Sequence, residues 1–219
     1  MMGVFMQAGN ASCKPTSASA VRSFLTFTRV AVITLGISAC VVSSVQPLSI
    51  PLVYKPNTKQ LLGPGPFACS ALSTVQVTDA RTDKVLGERT HESKPLKAEV
   101  TAATDPATWA QVGIQSYLTQ NGFQLGSGPK LYVSITYLRT AESILRRASY
   151  EAKISLSGQL KSPSGKTCWQ GQADGSSGDY GYAGSIQDYQ DTLNGALDAA
   201  TFQMVQPAPF KNALCQCGN

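Results

Sequence analysis

The chain has 219 residues, 42 % of them apolar and 14 % charged, with a formal net charge of +5. That length holds one domain plus a short extension. Lys14, Arg22 and Arg29 precede Cys40 with no acid among them, and of the 18 basic residues the other 15 face 13 acidic ones. Nucleic-acid binding needs a clustered basic face; only the pair Arg146–Arg147 stands out, so no nucleic-acid partner is expected.

Residues 1–39 read as an export signal: basic residues first, then the apolar run Val30–Ala39, then small residues before Cys40. Ten apolar residues cannot span a bilayer, which takes about 20. The letters "ISAC" resemble the lipobox of bacterial lipoproteins, a resemblance that implies cleavage before Cys40 and its acylation. Several acyl chains hold a protein stably where one does not. Val41 follows the cysteine where Asp, by resemblance to enterobacterial sorting, would favour the inner membrane. The expected location is therefore the outer membrane, lipid-anchored, with the domain facing the periplasm.

Residues 40–66 contain Pro47, Pro51, Pro56, Pro64 and Pro66 and read as a lipidated, proline-rich tether whose "IPLVY" could be an edge strand. The domain is expected over 67–206, followed by a cysteine-containing tail, 207–219. "ALSTVQVTDAR" alternates as a strand, and "TDKVLGER" is a short strand or a loop. Residues 90–104, with the sole histidine, His91, show little periodicity.

A helix opens at Asp105-Pro106, with the carboxylate as cap and proline at the first helical position. Ala110, Ile114, Tyr117 and Leu118 form its inward stripe, flanked by Trp109 and Val112, and Asn121-Gly122 ends it. In "KLYVSITYL", Leu131, Val133, Ile135 and Tyr137 share one face. "ASYEAKISLSGQLK" alternates cleanly from Ala148 to Lys161, the pattern of an antiparallel strand covered on one side. "SPSG" turns it into the return strand "KTCWQGQAD", with Trp169 expected against the strand opposite. Residues 175–185 read as a glycine-tyrosine loop, and a second helix follows, with Ser185 and Asp188 as a capping box and Pro207 as its end. The fold class predicted is α+β: two layers, a largely antiparallel sheet with two amphipathic helices on one face.

Cys13 leaves with the leader and Cys40 takes lipid. Cys69, Cys168, Cys215 and Cys217 remain, an even count in an oxidising compartment. A bond within "CQC" would close a strained ring, so Cys215 and Cys217 are expected to reach back to Cys69 and Cys168. The rival reading is a zinc or copper site on the four thiolates; no metal or other cofactor is expected.

The lipobox, "VQVTDARTDKVLGER", the helix ending "LTQNGFQL", the strand "LYVSITYL", a long hairpin and a closing helix together resemble the YajG-type family of small bacterial lipoproteins over about residues 70–206. The resemblance brings no catalytic residues, and the tail with Cys215 and Cys217 departs from its pattern, marking a divergent member.

No catalytic residues are assigned. His91 lacks a nucleophile elbow; "GSSGD" is not Gly-x-Ser-x-Gly; Asp79 and Asp83 are paired carboxylates by count only. Tyr180, Tyr182 and Tyr189 with Arg146 and Arg147 are the candidate interface, since tyrosines bury area while keeping a polar tip. The expected function is non-enzymatic: a structural or accessory subunit of an envelope or secretion complex, with envelope proteins as partners, the membrane as support and no small-molecule substrate. The alternatives are a periplasmic ligand- or lipid-binding module and a cell-wall hydrolase.

Overall fold

The computed structural model describes residues 45–56, 69–92, 96–145 and 147–217. The expected signal segment, lipidated Cys40 and Arg146 lie outside the described residues. The described elements in chain order are β1 (Leu48–Ile50), β2 (Ala71–Asp79), β3 (Gly87–His91), β4 (Leu96–Ala102), α1 (Pro106–Gln120), β5 (Gln124–Ile144), β6 (Ala148–Lys161), β7 (Thr167–Gly181), α2 (Ile186–Val205) and α3 (Ala208–Cys217).

The strands form one open sheet in the order β1-β4-β3-β5-β6-β7, with β2 also pairing β5. The β5–β6 and β6–β7 hairpins are antiparallel, as the alternation requires. The sheet is nevertheless mixed: β2 and β3 both run parallel to β5, and β1 runs parallel to β4. One edge of the 21-residue β5 is shared end to end, β2 taking its first part and β3 its last residues. Arg81 fills the junction. Its guanidinium donates to both oxygens of Asp79, at 2.8 and 2.9 Å, and to the Leu138 carbonyl at 3.3 Å.

A β-bulge between Ile135 and Tyr137 lies at this junction and reverses the phase of β5. Leu131, Val133 and Ile135 face inward as expected, but beyond the bulge the inward residues are Leu138, Thr140 and Glu142. Tyr137, expected inside, is turned out and is 45 % exposed.

In α1 the Asp105 carboxylate accepts from the amides of Ala107 and Thr108. Gly122 (φ +86°) closes it, with Gly122 N–H donating to Thr119 O at 3.1 Å and Phe123 N–H to Leu118 O at 3.0 Å. Trp109, Ala110, Ile114, Tyr117 and Leu118 are buried, while Val112 is exposed.

The glycine-rich stretch expected as a loop continues strand β7 to Gly181. Its glycines let α2 lie directly on the strand: a Cβ at Gly175 would sit 2.1 Å from the Ala196 carbonyl oxygen and 2.5 Å from the Ala200 nitrogen. Both obstacles are helix backbone, which cannot swing aside as a side chain can. Gly175→Ala is therefore expected to lower the unfolding free energy by about 2–3 kcal/mol, the scale of core overpacking, read as a fall in urea midpoint without a change in m-value.

Parts of two segments expected outside the domain pack into it. Ile50 and Leu52 are buried, and the chain around them is held by polar side chains of α2: Gln190 Nε2 donates to Pro51 O (2.6 Å), and Asn194 Nδ2 to Val53 O (3.2 Å). Tyr54 donates its hydroxyl to Asp198 (2.8 Å). Proline prevented helix here without preventing burial, because the peptide groups found side-chain partners. The tail beyond Pro207 forms a third helix, α3, burying Phe210, Ala213, Leu214 and Cys217. Trp169 packs edge-on against Phe210, with ring centroids 5.0 Å apart, rather than on a strand alone. Disulfides Cys69–Cys215 and Cys168–Cys217 hold α3 in place, leaving none of the four thiolates for a metal.

Candidate functional site

The phase reversal in β5 puts a carboxylate inside the molecule. Glu142 is 1 % exposed, beneath the start of α2. Every partner it needs arrives from a different element. Arg89 of β3, paired opposite it in the sheet, donates Nε–H to Oε2 at 2.5 Å. Tyr189 of α2 donates its hydroxyl to Oε2 at 2.8 Å. The Gly184 N–H, from the loop before α2, donates to Oε1 at 2.6 Å. Tyr150 of β6 has one hydroxyl proton and two acceptors, Glu142 Oε1 at 3.2 Å and the Tyr182 carbonyl, and it accepts from the Ser185 N–H at 3.1 Å. The two tyrosine rings meet edge to face with centroids 4.8 Å apart.

Burial alone would raise the Glu142 pKa. The hydrogen bonds from Arg89, Gly184 and Tyr189, with the guanidinium charge, outweigh it and hold the carboxyl below its ordinary range. Burial first, then the Glu142 charge, pushes the Tyr150 phenol up to about 12, and the Tyr189 phenol is raised for the same reasons. The cluster is thus a charged carboxylate and guanidinium with two neutral phenols. A carboxylate saturated with donors and held low is a poor general base near neutral pH. What it does is fix backbone: through Gly184 and Tyr150 it holds the loop of Tyr182 to Ser185, and through Arg89, whose Nη1 donates to Gln46 O at 3.0 Å, it holds the chain entering β1.

Above this cluster lies an open cleft of about 550 Å³, lined by Ile144, Arg147, Ala148, Tyr180, Tyr182 and Ala183. Tyr182 is 88 % exposed and Tyr180 74 %. The Tyr182 backbone is held on both sides: its N–H donates to Asp188 Oδ2 at 3.2 Å and its carbonyl accepts from the Tyr150 hydroxyl. Asp188 therefore reaches back to Tyr182, and the capping box expected with Ser185 is only half made: Ser185 Oγ accepts from the Asp188 N–H at 3.2 Å.

Of the candidate interface residues, Tyr180, Tyr182 and Arg147 come together at this cleft. Tyr189 does not; it is fully buried on Glu142, because helical spacing turned it to the sheet. Among the catalytic candidates, Asp79 is paired with Arg81, and Arg81 and Lys84 outweigh burial to hold it at about 2. Asp83 is paired with Arg139. His91 ends β3 opposite Leu96. Among the described residues no group of three or more His, Cys, Asp or Glu side chains could hold a metal ion, and no helix is long and apolar enough to cross a membrane.

A family model described as "Uncharacterized lipoprotein" matches residues 68–215, more than half of the chain. The chain belongs to this lipoprotein family. The match gives membership in a general lipoprotein family and does not single out the YajG-type one. No curated protein matches the lipoprotein's sequence. Among solved structures it is similar to a Xanthomonas campestris protein (9 % identity, TM-score 0.44, covering 78 % of this chain and 98 % of that one). It is also similar to a minor lipoprotein from Acinetobacter baumannii (12 % identity, TM-score 0.38, covering 67 % and 96 %).

Proposed function

We propose that the lipoprotein is a non-enzymatic outer-membrane protein, anchored through acylated Cys40, whose periplasmic domain is a structural or accessory subunit of an envelope or secretion assembly. The observation that carries this reading is the uncovered side of the sheet. The helices occupy one face; on the other, the β5 bulge pushes Tyr137 outward beside Thr136, Lys153, Gln172 and Asp174, which line a shallow open cleft. A rigid strand surface with an exposed tyrosine among mixed charges offers a protein partner area and polar register together. The pairing of Asp79, Asp83 and Glu142 with arginines supports a role without catalysis. The order of elements and the lipobox support a divergent kinship with the YajG-type lipoproteins.

The acylated protein is to be purified from detergent-solubilised envelopes, as wild type and as Tyr137→Asp. A partner is expected to accompany the wild type and be lost from the variant, whose own unfolding midpoint stays unchanged. Recovery of the wild-type lipoprotein alone overturns the reading.

A further inference from the structure

We propose that the end of the domain carrying Leu145, Tyr180, Tyr182 and Ile186 seats on the surface of the lipid bilayer that holds the anchor. The inference rests on the anchored reading above and deepens it by assigning the face that meets the membrane.

Two independent observations meet at this end. The first is where the chain enters the domain. Strand β1 runs parallel to β4 with Leu48 opposite Val100, and β4 begins at Leu96, across from His91. The chain before Leu48 therefore runs toward the end of the sheet where β3 and β5 finish, and the Arg89 bond to Gln46 O holds it there. Gln46 lies six positions after Cys40, a reach of about 22 Å at most at roughly 3.6 Å per extended residue. Strand β6 has 14 residues, so it carries the hairpin about 45 Å away at roughly 3.3 Å each. The tether thus keeps the 144–148 end near the bilayer, and the far turn at Ser162–Lys166 reaches it only if the domain lies flat.

The second observation is what that end displays. Leu145 is 60 % exposed at the β5–β6 turn, Tyr180 and Tyr182 stand out of the adjoining strand end, and Ile186 opens α2 at 41 % exposed. Large apolar side chains gathered at one end of a soluble domain mark a contact surface. Tyrosine suits the headgroup layer, where its ring is shielded and its hydroxyl stays wet. Arg147 sits on the same rim, but exposed Asp179 and Glu92 lie nearby, so the attraction is to the interfacial layer rather than to anionic charge. The Glu142 cluster gives the arrangement its rigidity, since one carboxylate secures both the tether entry and the loop that presents Tyr182.

The test places p-benzoylphenylalanine at Leu145, at Tyr182 and, as the far-end control, at Ser164, in the full chain expressed in a bacterial envelope. All three sites are exposed, so the unfolding midpoints are expected to match the wild type. On irradiation, adducts of phospholipid mass are expected at 145 and 182 and none above background at 164. Protein adducts at 145 and 182 would assign this end to a partner and overturn the proposal, as would no adduct at either site or equal lipid labelling at 164. The intact mass of the mature protein separates the two readings. An acylated protein without lipid adducts overturns the seating alone, whereas an unmodified Cys40 overturns the anchor and the seating with it.

Discussion

Glu142→Gln is expected to lower the unfolding free energy by about 3 kcal/mol, the lower part of the range for removing one partner of a buried ion pair. The lower part applies because the Arg89 side chain keeps 12 % of its surface, so its orphaned charge has some water. The glutamine amide also brings donors where Gly184 N–H and Tyr189 already donate, and one oxygen position loses its acceptor. Adding Arg89→Met removes the unpaired charge and should recover part of the loss, but not all, because the Gly184 and Tyr189 donors still lack their carboxylate. Urea midpoints for the wild type, the single variant and the double variant check this. The pH dependence follows from the direction of the shift. Folding depresses the Glu142 pKa below its ordinary 4.5, so its stabilisation is fully present above that value and is lost as pH falls through the folded one. Wild-type stability should therefore decline on acidification below about 4.5, and the wild-type advantage over Glu142→Gln should shrink in the same window. An advantage that stays constant down to low pH would show that the charge is not what the cluster uses.

Loss of the Cys69–Cys215 disulfide is expected to cost more. Its partners are 146 residues apart in sequence, and the chain-entropy model gives about 5 kcal/mol for a loop of that size. Cys168–Cys217 spans 49 residues, about 4 kcal/mol by the same reasoning. The two loops overlap, so the effects will not add in full. Together the bonds hold α3 on the sheet, where Phe210 covers Trp169. Replacing all four cysteines by serine should release α3 before global unfolding, visible as a red-shifted tryptophan emission and a lower thermal midpoint, with Trp109, bonded to Asn194 inside the core, unaffected. A four-serine variant with wild-type emission and midpoint would show that α3 docks by its apolar face alone.

Much of the central fold was legible from residue pattern. The strict alternation of Ala148–Lys161 required a one-sided antiparallel strand, and the turn chemistry of Ser162–Gly165 closed its hairpin. Asp105, Pro106 and Gly122 bounded α1 because caps are local chemistry. Elsewhere, local residue pattern and the tertiary role diverge. Glycines of 175–181 read as loop because their local conformational freedom is obvious in sequence, while the helix backbone that needs them bare comes from residues 196–200. The α3 helix carries Phe210, Ala213, Leu214 and Cys217 on one face, but it is only ten residues long and follows Pro207, and two covalent links hold it in place. Glu142 carried no local signal at all: with unbroken alternation it would face out, and only the bulge near Thr136 turns it in.

Residue order alone determined β2, α1, the first part of β5, β6 and α2, the one-sided character of the β6 hairpin and the presence of four cysteines suited to an oxidising compartment. These are properties of side-chain period, capping and thiol chemistry, which act within a few residues of one another or by count. Only the tertiary structure decided that the sheet is mixed, that Ile50 and Leu52 are core, which cysteines pair, and that one buried carboxylate secures both the tether entry and the Tyr182 loop. Each of those depends on groups brought together across 40 to 150 residues of chain, where the gain is made by completing a partner's hydrogen bonds and burial, and no window of local sequence contains both sides of the interaction.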